Sequence, residues 1–538
     1  MTSPSMRSRW LLASIWICFL LRGCFYASMF PLWEGYDEFA HFGVIRATST
    51  KGLLLVPRDQ PGPRDVEESF KLVPVPWEVR GWPVFRLSLT EEGYWSLPPE
   101  ERRQREIRLH DMPLEWARED SANGVSAYEA YQPPLYYWLM APVLSMLRSF
   151  SLLAQSMVLR WLGVLIASLA VPLTFAIARK IIGRDSAALG CAAVVAVMPG
   201  FASNVARISN EPVSILLFTL LTYVGLRIVT EAPSVGRAVV LGAILGLGLL
   251  AKAYFLTAVP AVLLLLLFKY RTAWKPAMAT SLVAASVAGW WYVRNLVTTG
   301  TLSGLAEPVM LRGRGLAATL AAIPHVPWIR SVDVILFSHL YFCGWSSLTV
   351  RSWMYHIFFA IAFLAAAGLI LRVHKPGVLW LVGIYGFFWL GQLYNDLLQY
   401  LTKGLAGSMG WYMYAVVGCE VVLCVVAFGR FQVWAAAIGA TLFGLLDFYG
   451  MHLLAIPYYT GMIGHRANGA LAALHIGEFR AMGLSAAFGR LAANKPAPIS
   501  QPVLLVLWAL YLAGTVLPIV LMLGLAVKGR RNQPAKAQ

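Results

Sequence analysis

Two adjacent carboxylates and a histidine follow the first long apolar segment of the chain, in the stretch PLWEGYDEFAHF. In a helix, His41 lies on the same side as Asp37, four residues earlier, and Glu38, three residues earlier. A carboxylate at a partly desolvated depth can have a raised pKa and serve as a general base. The structural alternative is that acids near a helix N-terminus are stabilised by the helix dipole. A zinc site has less support, because HExxH is absent and one histidine with two acids is an incomplete ligand set.

Three more charged residues stand at the ends of apolar segments: Glu211 in NVARISNEPVS, Lys252 in GLGLLAKAYFLTAVP and Arg294 in GWWYVRNLVTTG. Each has a structural alternative, since Glu211 can start a helix capped by Asn210 and Lys252 can snorkel to the interface. Ionisable residues are costly in lipid, however, and usually line a cavity or meet an anion. Acids that activate a hydroxyl and cations that hold a phosphate are what transfer from a phospholipid-linked donor requires.

Other ionisable residues of the apolar segments favour structural roles. We expect Arg22, inside the first segment, to form a structural pair, and Asp396, Glu420 and Asp447 to make contacts between helices.

The elements that position these residues are membrane helices. Of the 538 residues, 58% are hydrophobic and only 13% are charged, against about 25% charged in a typical soluble protein. The formal charge of +17 does not indicate nucleic-acid binding, because the basic residues largely occupy short gaps between apolar segments. The 6 cysteines fall mostly inside apolar runs without a CxxC pair, which is typical of small buried hydrophobic residues.

An all-α polytopic membrane protein with about twelve spans of about 20 residues follows from the apolar pattern. The first is expected to be a retained signal anchor. Lysines and arginines in the short connections place both termini in the cytoplasm. The predicted spans are 10–30, 158–178, 187–206, 211–229, 237–253, 254–269, 276–293, 352–371, 377–398, 409–429, 431–451 and 501–527.

Three long loops then fall on the outer side: 31–157, 294–351 and 452–500. The first contains a short apolar helix after Pro134, expected to lie along the interface, where Tyr136 and Trp138 suit the headgroup region. We divide the chain into a catalytic membrane module (1–300), a C-terminal membrane region (301–527) and a disordered, basic cytoplasmic tail (528–538).

The chain resembles the GT-C glycosyltransferases, in particular the bacterial aminoarabinose transferases and the protein O-mannosyltransferases. The resemblance covers roughly residues 10–300. It rests on the order of DExxH, QPPLYYW, RWLGVLIASLAVPLTFAIARKIIGR, the P-x-F…SNE segment and LLAKAYFL. It implies that Asp37, with Glu38 adjacent, is the catalytic or orienting carboxylate, that Glu211 is the second acid, and that Lys252 lies near the donor phosphate. Departures are Glu211 where the family commonly has Asp, and a missing or reduced soluble C-terminal domain.

The sequence therefore predicts a bacterial inner-membrane enzyme with its active site facing outward. A hexose or pentose would pass, with inversion, from a polyprenyl-phosphate-linked donor to a lipid, polysaccharide or protein acceptor. Among the candidate substrate-binding residues are His41, Tyr136, Trp138, Arg294 and Tyr412. A divalent cation (Mg²⁺ or Mn²⁺) held by Asp37 and Glu211 stays open. A flippase of a lipid-linked saccharide is the main alternative, although no internal repeat is evident, and a noncatalytic scaffold is a third.

Overall fold

The described part of the chain is helical. A computed structural model describes residues 4–122, 124–269 and 274–531, and the last residues of the expected basic tail, 532–538, lie outside these ranges. The first apolar segment forms helix α1, Met6–Met29. Within the described ranges, the only β-structure consists of isolated bridges. The all-α fold predicted from the apolar pattern is confirmed.

Between the first and second membrane segments, residues 30–151 build a small helical unit with its own core. The side chains of Trp33, Phe39, Phe42, Phe70 and Phe85 pack together at its centre. Short 3₁₀ turns, among them Tyr128–Tyr131, connect the helices. The helices are α2 (Glu38–Lys51), α3 (Arg64–Ser69), α4 (Glu91–Ser96), α5 (Pro99–His110) and α6 (Leu135–Met146).

The following helices carry most of the predicted site. Pro199 starts α10 after a bend of 58° from α9, and a non-helical stretch at 206–210 precedes α11. Lys252 is in an extended conformation between α12 and a 3₁₀ turn, Ala253–Thr257. The helices are α7 (Leu152–Ser168), α8 (Ala170–Ile182), α9 (Asp185–Val197), α10 (Pro199–Val205), α11 (Glu211–Thr230), α12 (Val235–Ala251), α13 (Ala258–Lys269) and α14 (Trp274–Thr299).

The C-terminal half continues the bundle, and α24 packs back on α1. A 3₁₀ segment, Gly410–Val416, leads into α20 and carries Tyr412. The helices are α15 (Ala306–Met310), α16 (Leu316–Ala322), α17 (Trp328–Leu340), α18 (Ser352–Ile370), α19 (Pro376–Lys403), α20 (Val417–Ala427), α21 (Gln432–Gly450), α22 (Ile456–Tyr459), α23 (Ile476–Ala492) and α24 (Gln501–Arg531).

The number of spans differs from the sequence-based prediction. By length and composition, 8 helices of the described chain can cross a membrane, or up to 10 if each bent helix pair is one span. The predicted spans at 237–253 and 254–269 form apolar segments shorter than 18 residues, because Lys252 interrupts the helix between them. The predicted loop 294–351 contains a bent pair, Leu316–His325 with Trp328–Leu340, that is apolar enough to count as a span. The count of twelve is therefore not confirmed.

The three segments predicted as outer loops pack against one another at one end of the bundle, which we call the loop face. Glu34 accepts hydrogen bonds from the backbone N–H of Ser346 at 2.9 Å and from its hydroxyl at 2.8 Å. Gly344, with φ of 66°, leaves room for this carboxylate, which a Cβ there would strike. Glu92 contacts His465 at 2.9 Å. Residues far apart in sequence thus build one layer over the helix ends.

Candidate active site

Asp37 lies at the loop face, directly before α2. Its φ of 55° is left-handed, a conformation that aspartate tolerates better than most residues. Its side chain does not cap the helix; Oδ1 instead accepts a hydrogen bond of 2.6 Å from the Tyr128 hydroxyl. Burial raises the pKa of this carboxyl, while the Tyr128 hydrogen bond and the charges of Arg207 and Lys252 lower it in part. The simple helix-capping interpretation therefore does not account for the Asp37 side chain.

Glu38, the neighbouring acid, is in a different situation. Its side chain is fully buried, and Arg160 binds both of its oxygens, at 2.7 Å through Nε and 2.6 Å through Nη2. The Ile208 N–H donates to Oε1 at 3.0 Å and the Gly35 N–H to Oε2 at 3.3 Å. Because hydrogen bonds from the protein occupy both oxygens, this geometry favours a positioning role for Glu38 over a catalytic one.

His41 is buried beside a second acid that sequence analysis did not single out, Glu129. The His41 ring contacts the Tyr137 hydroxyl through Nδ1 at 3.0 Å, and its Nε2 lies 3.8 Å from Oε2 of Glu129. Burial lowers the pKa of His41 well below its usual value, and the charges of Lys252 and Arg207 act in the same direction. The ring is therefore neutral at pH 7, and its position beside Glu129 suits orientation of that acid.

Glu129 shares the electrostatic environment of Asp37. Burial raises its pKa to about 8, and the negative charge of Asp37 adds to this effect. The Tyr131 hydroxyl donates to Oε1 at 3.3 Å. The only sequence signal was an acid between two tyrosines in YEAYQPP, immediately before a motif that carried the family resemblance.

Glu211 and Lys252 form an ion pair. Glu211 is the first residue of α11, as the sequence predicted, and the Tyr254 hydroxyl donates to its Oε2 at 3.1 Å. The Lys252 ammonium also lies over the ring of Tyr412, 5.0 Å from the centroid, and that of Tyr254, 5.4 Å from the centroid. The break between α12 and the following turn is what projects Lys252 towards Glu211 and Tyr412.

Arg207 is the most informative residue that sequence reasoning missed. It lies in the non-helical stretch before α11, is 3% exposed, and stacks over Tyr36 at 4.3 Å from the ring centroid. Its Nη2 donates to Asn204 at 2.6 Å, whereas Nε and Nη1 have no hydrogen-bond partner. The buried Asn204 amide nitrogen and Ser209 hydroxyl nearby in sequence are also without partners. Such unsatisfied buried donors are rare and suit an anionic ligand.

Electrostatic influence links these residues into one site. Asp37 interacts with Arg207 and Lys252, and Glu129 interacts with Asp37 and Lys252. The chain thus brings two acids, Asp37 and Glu129, together with two cations, Arg207 and Lys252, at the loop face.

The remaining candidate substrate-binding residues are Arg294, Tyr136 and Trp138. Arg294 stacks on Trp291, 5.1 Å from the ring centroid. Tyr136 is 1% exposed, and Trp138 donates from Nε1 to the Leu54 carbonyl at 2.7 Å while stacking on Trp290. In this conformation these three side chains are engaged with the protein, and their proposed contact with substrate stays a prediction.

A metal centre has no complete ligand set in the described ranges, where no group of three or more His, Cys, Asp or Glu side chains could hold an ion. Glu211, one of the two proposed ligands, is committed to Lys252. Participation of Mg²⁺ or Mn²⁺ with Asp37 therefore stays an untested possibility.

Comparison with known families gives evidence for the GT-C resemblance that is independent of the site geometry. Residues 131–291 match the family model of dolichyl-phosphate-mannose-protein mannosyltransferases. The chain resembles a GT-C membrane glycosyltransferase. The matched segment contains Arg207, Glu211 and Lys252. Asp37 and Glu129 lie before it in the sequence.

Solved structures give weaker similarity. ArnT from Cupriavidus metallidurans bound to undecaprenyl phosphate is 12% identical, with a TM-score of 0.49, 97% of this chain and 78% of that chain covered. The apo state of the same protein gives 14% identity, a TM-score of 0.40, and coverage of 90% and 76%. The Archaeoglobus fulgidus oligosaccharyltransferase gives 13% identity, a TM-score of 0.37, and coverage of 77% and 52%. No curated protein sequence matches the chain.

Proposed function

We propose that this GT-C-like protein transfers a sugar from a polyprenyl-phosphate donor to an acceptor hydroxyl at the loop face. The observation that carries the proposal is the convergence of Asp37, a half-buried carboxylate with one hydrogen bond from Tyr128, with Arg207, whose Nε and Nη1 lack partners. A carboxylate that takes a proton and cations that hold a phosphate are the two requirements of this reaction.

Asp37 is the general base of the proposed mechanism. Its free oxygen takes the proton of the acceptor hydroxyl, whose oxygen then bonds to the anomeric carbon of the donor. The bond from that carbon to the phosphate oxygen breaks, and polyprenyl phosphate leaves with the electron pair. One base and one displacement suffice, which gives inversion at the anomeric carbon. Glu38 holds the start of α2 through Arg160 and so positions Asp37.

Arg207 and Lys252 are the proposed phosphate ligands. Charge develops on the phosphate oxygens as the bond breaks, and preorganised cations in a dry site stabilise it without reorganisation. Arg207 has unused donors already. Lys252 would move its ammonium from Glu211 to the phosphate or share it between the two, and Tyr412 lies against the same ammonium.

An apolar groove within the helix bundle suits the polyprenyl tail. It lies between α12, α13 and α14, has a volume of about 210 Å³, and is lined by such residues as Leu245, Leu266 and Ala284. Leu249 and Tyr292 also line the groove, the Tyr292 hydroxyl donates to the Leu249 carbonyl at 3.0 Å, and Leu249 lies three residues before Lys252. A tail in this groove would bring its phosphate to the two cations.

The proposed location is the bacterial inner membrane, with both termini cytoplasmic and the loop face outward. The basic residues of the short connections support this orientation. The acceptor is a hydroxyl of a lipid, a polysaccharide or a protein.

A flippase of a lipid-linked saccharide is the competing function. Transporters place polar binding residues near the membrane midplane, between discontinuous helices. The bend between α9 and α10 is a discontinuity of this kind. The acids and cations described above nevertheless gather at the loop face, which favours chemistry there over passage through the bundle.

The test is sugar transfer by the purified full chain supplied with a radiolabelled polyprenyl-phosphate sugar pool. We expect Asp37→Asn to slow transfer by about 10²–10⁴-fold, the usual contribution of a general base. Glu211→Gln is tested beside it. Asp111→Asn, an exposed aspartate after α5, is the matched control and should transfer at the wild-type rate. Wild-type transfer by Asp37→Asn would refute the role of Asp37. Translocation of the lipid in proteoliposomes without transfer would support the flippase.

A further inference from the structure

A groove at the far end of α2 is not explained by the proposed reaction. It has a volume of about 370 Å³ and is lined by three arginines, Arg46, Arg118 and Arg148, and by one acid, Glu115. Arg46 follows Asp37 by nine residues, about 13 Å along the helix at 1.5 Å per residue. The groove is thus separate from the candidate active site.

Arg46 is the buried residue at the base of this groove, which we call its floor. Its side chain is buried, with Nη2 bonded to Gln155 at 2.6 Å and lying 3.2 Å from Asp65. Nη1 donates to the Ala117 carbonyl at 3.2 Å, whereas Nε has no hydrogen-bond partner. The floor is therefore held rigidly by the protein and keeps one buried donor unused.

Arg118 and Arg148 stand at the rim. Both side chains are exposed, and within the described residues neither guanidinium makes an ion pair. Arg64, elsewhere in the same unit, is by contrast paired with Glu119 at 2.5 Å. Because Asp65 already balances Arg46, the lining keeps an excess of positive charge after Glu115 is counted.

The groove opens where the chain enters the membrane-spanning part of the bundle. Its lining includes Ser149, and the long apolar helix segment Leu152–Ile182 begins three residues later. Apolar side chains are exposed around the same point: Met146 is 80% exposed and Phe150 52%. An arginine rim next to exposed apolar residues at a membrane boundary is the arrangement that attracts anionic headgroups.

We propose that this groove binds the phosphate of an anionic lipid in the leaflet at the loop face. The phosphate lies between Arg118 and Arg148, with the unused Nε of Arg46 below it, while Met146 and Phe150 contact the acyl chains. The proposal does not depend on glycosyl transfer, since it uses none of the residues assigned to that reaction.

The test is lipid retention by the full-length protein in an uncharged detergent, measured by native mass spectrometry with phosphatidylglycerol and, separately, phosphatidylcholine. The wild type should retain phosphatidylglycerol preferentially. Arg118→Ala/Arg148→Ala should weaken that binding about 25-fold, at about fivefold for each arginine near an anionic headgroup. The control, Arg103→Ala/Arg108→Ala, removes two exposed arginines of α5 and should bind like the wild type.

Two results would overturn the proposal. One is retention of phosphatidylglycerol by the Arg118/Arg148 double variant at the wild-type level. The other is displacement of the bound lipid by millimolar inorganic phosphate, which would assign the groove to a free phosphate instead of a lipid. Because both readouts measure binding alone, failure here leaves the proposed transferase activity unaffected.

Discussion

Two buried arginines of this protein differ in how completely the protein satisfies them. Inside the bundle, Arg22 contacts Asp447 at 2.9 Å, donates from Nε to Thr515 at 3.0 Å, and bonds the carbonyls of Ala196 and Val197. At the loop face, Arg207 is almost equally buried but leaves Nε and Nη1 without partners. The first arginine is satisfied by the protein, whereas the second keeps two donors that no described protein group accepts.

This difference is a physical criterion for separating structural from functional charges. An unsatisfied buried donor lowers the stability of the folded protein by about 1–3 kcal/mol. Such a donor is therefore expected mainly where ligand binding requires it. The neighbouring acids divide in the same way, because Glu38 is saturated by Arg160 while Asp37 accepts one hydrogen bond from Tyr128.

The largest effect on stability is expected from Asp447→Asn. It leaves the Arg22 charge buried without a counter-ion, which typically lowers the free energy of unfolding by about 3–5 kcal/mol. Thermal unfolding in detergent measures the loss. Arg22→Met/Asp447→Leu removes both charges and should recover most of it. If Asp447→Asn were as stable as the wild type, a structural role for the Arg22–Asp447 pair would be excluded.

Arg207→Met should weaken donor binding about 10–100-fold, since hydrogen bonds to charged groups contribute about 1.5–3 kcal/mol. The melting temperature should stay at or above that of the wild type, because the unsatisfied donors disappear with the guanidinium. The measurement is KM and kcat for the polyprenyl-phosphate donor beside thermal unfolding. Arg160→Met is the contrasting variant, expected to lose stability because Glu38 becomes unpaired. Destabilisation of Arg207→Met as large as that of Asp447→Asn would make Arg207 structural.

The smallest predicted effect is on the pH dependence. Transfer requires ionised Asp37, so the rate should rise with pH through the raised pKa of that carboxyl. It should fall again near pH 8, where Glu129 ionises and places a second negative charge beside the phosphate. Glu129→Gln should remove the alkaline limb and leave the acidic limb in place. An unchanged alkaline limb would exclude Glu129 as its cause.

The same residue gives a matching prediction for stability. Because the pKa of Glu129 is raised from 4.5 to about 8, the folded state binds its proton more tightly than the unfolded state between these values. Its contribution is present at low pH and is lost as the pH rises towards 8. The free energy of unfolding of Glu129→Gln should lack this decline.

Sequence reasoning singled out part of the candidate site and passed over the rest, for identifiable reasons. It found Asp37, Glu211 and Lys252 because charged residues are conspicuous in apolar sequence. It missed Arg207 because the unused donors that single this residue out are visible only in three dimensions. It grouped Asp37 with Glu38, whose partner Arg160 lies 122 residues away.

The structural roles assigned to the intramembrane charges are consistent with the fold. Arg22 pairs with Asp447, as expected for a residue too costly to leave unpaired in lipid. Glu420 meets His339 at 2.8 Å, and Asp396 accepts hydrogen bonds from the 407–408 backbone. For these residues the burial cost alone predicts a partner, although not which one.

The sequence by itself determined the all-helical membrane fold, because apolar runs of span length have few other stable forms, and it determined which segments carry charge at their ends. It did not determine the span count, because the helices on either side of Lys252 are each shorter than 18 residues and the 316–340 segment, predicted as a loop, contains a bent apolar helix pair. Only the tertiary structure decided which charges are satisfied. That property depends on partners distant in sequence, and it separates Arg22 and Glu38 from Arg207 and Asp37.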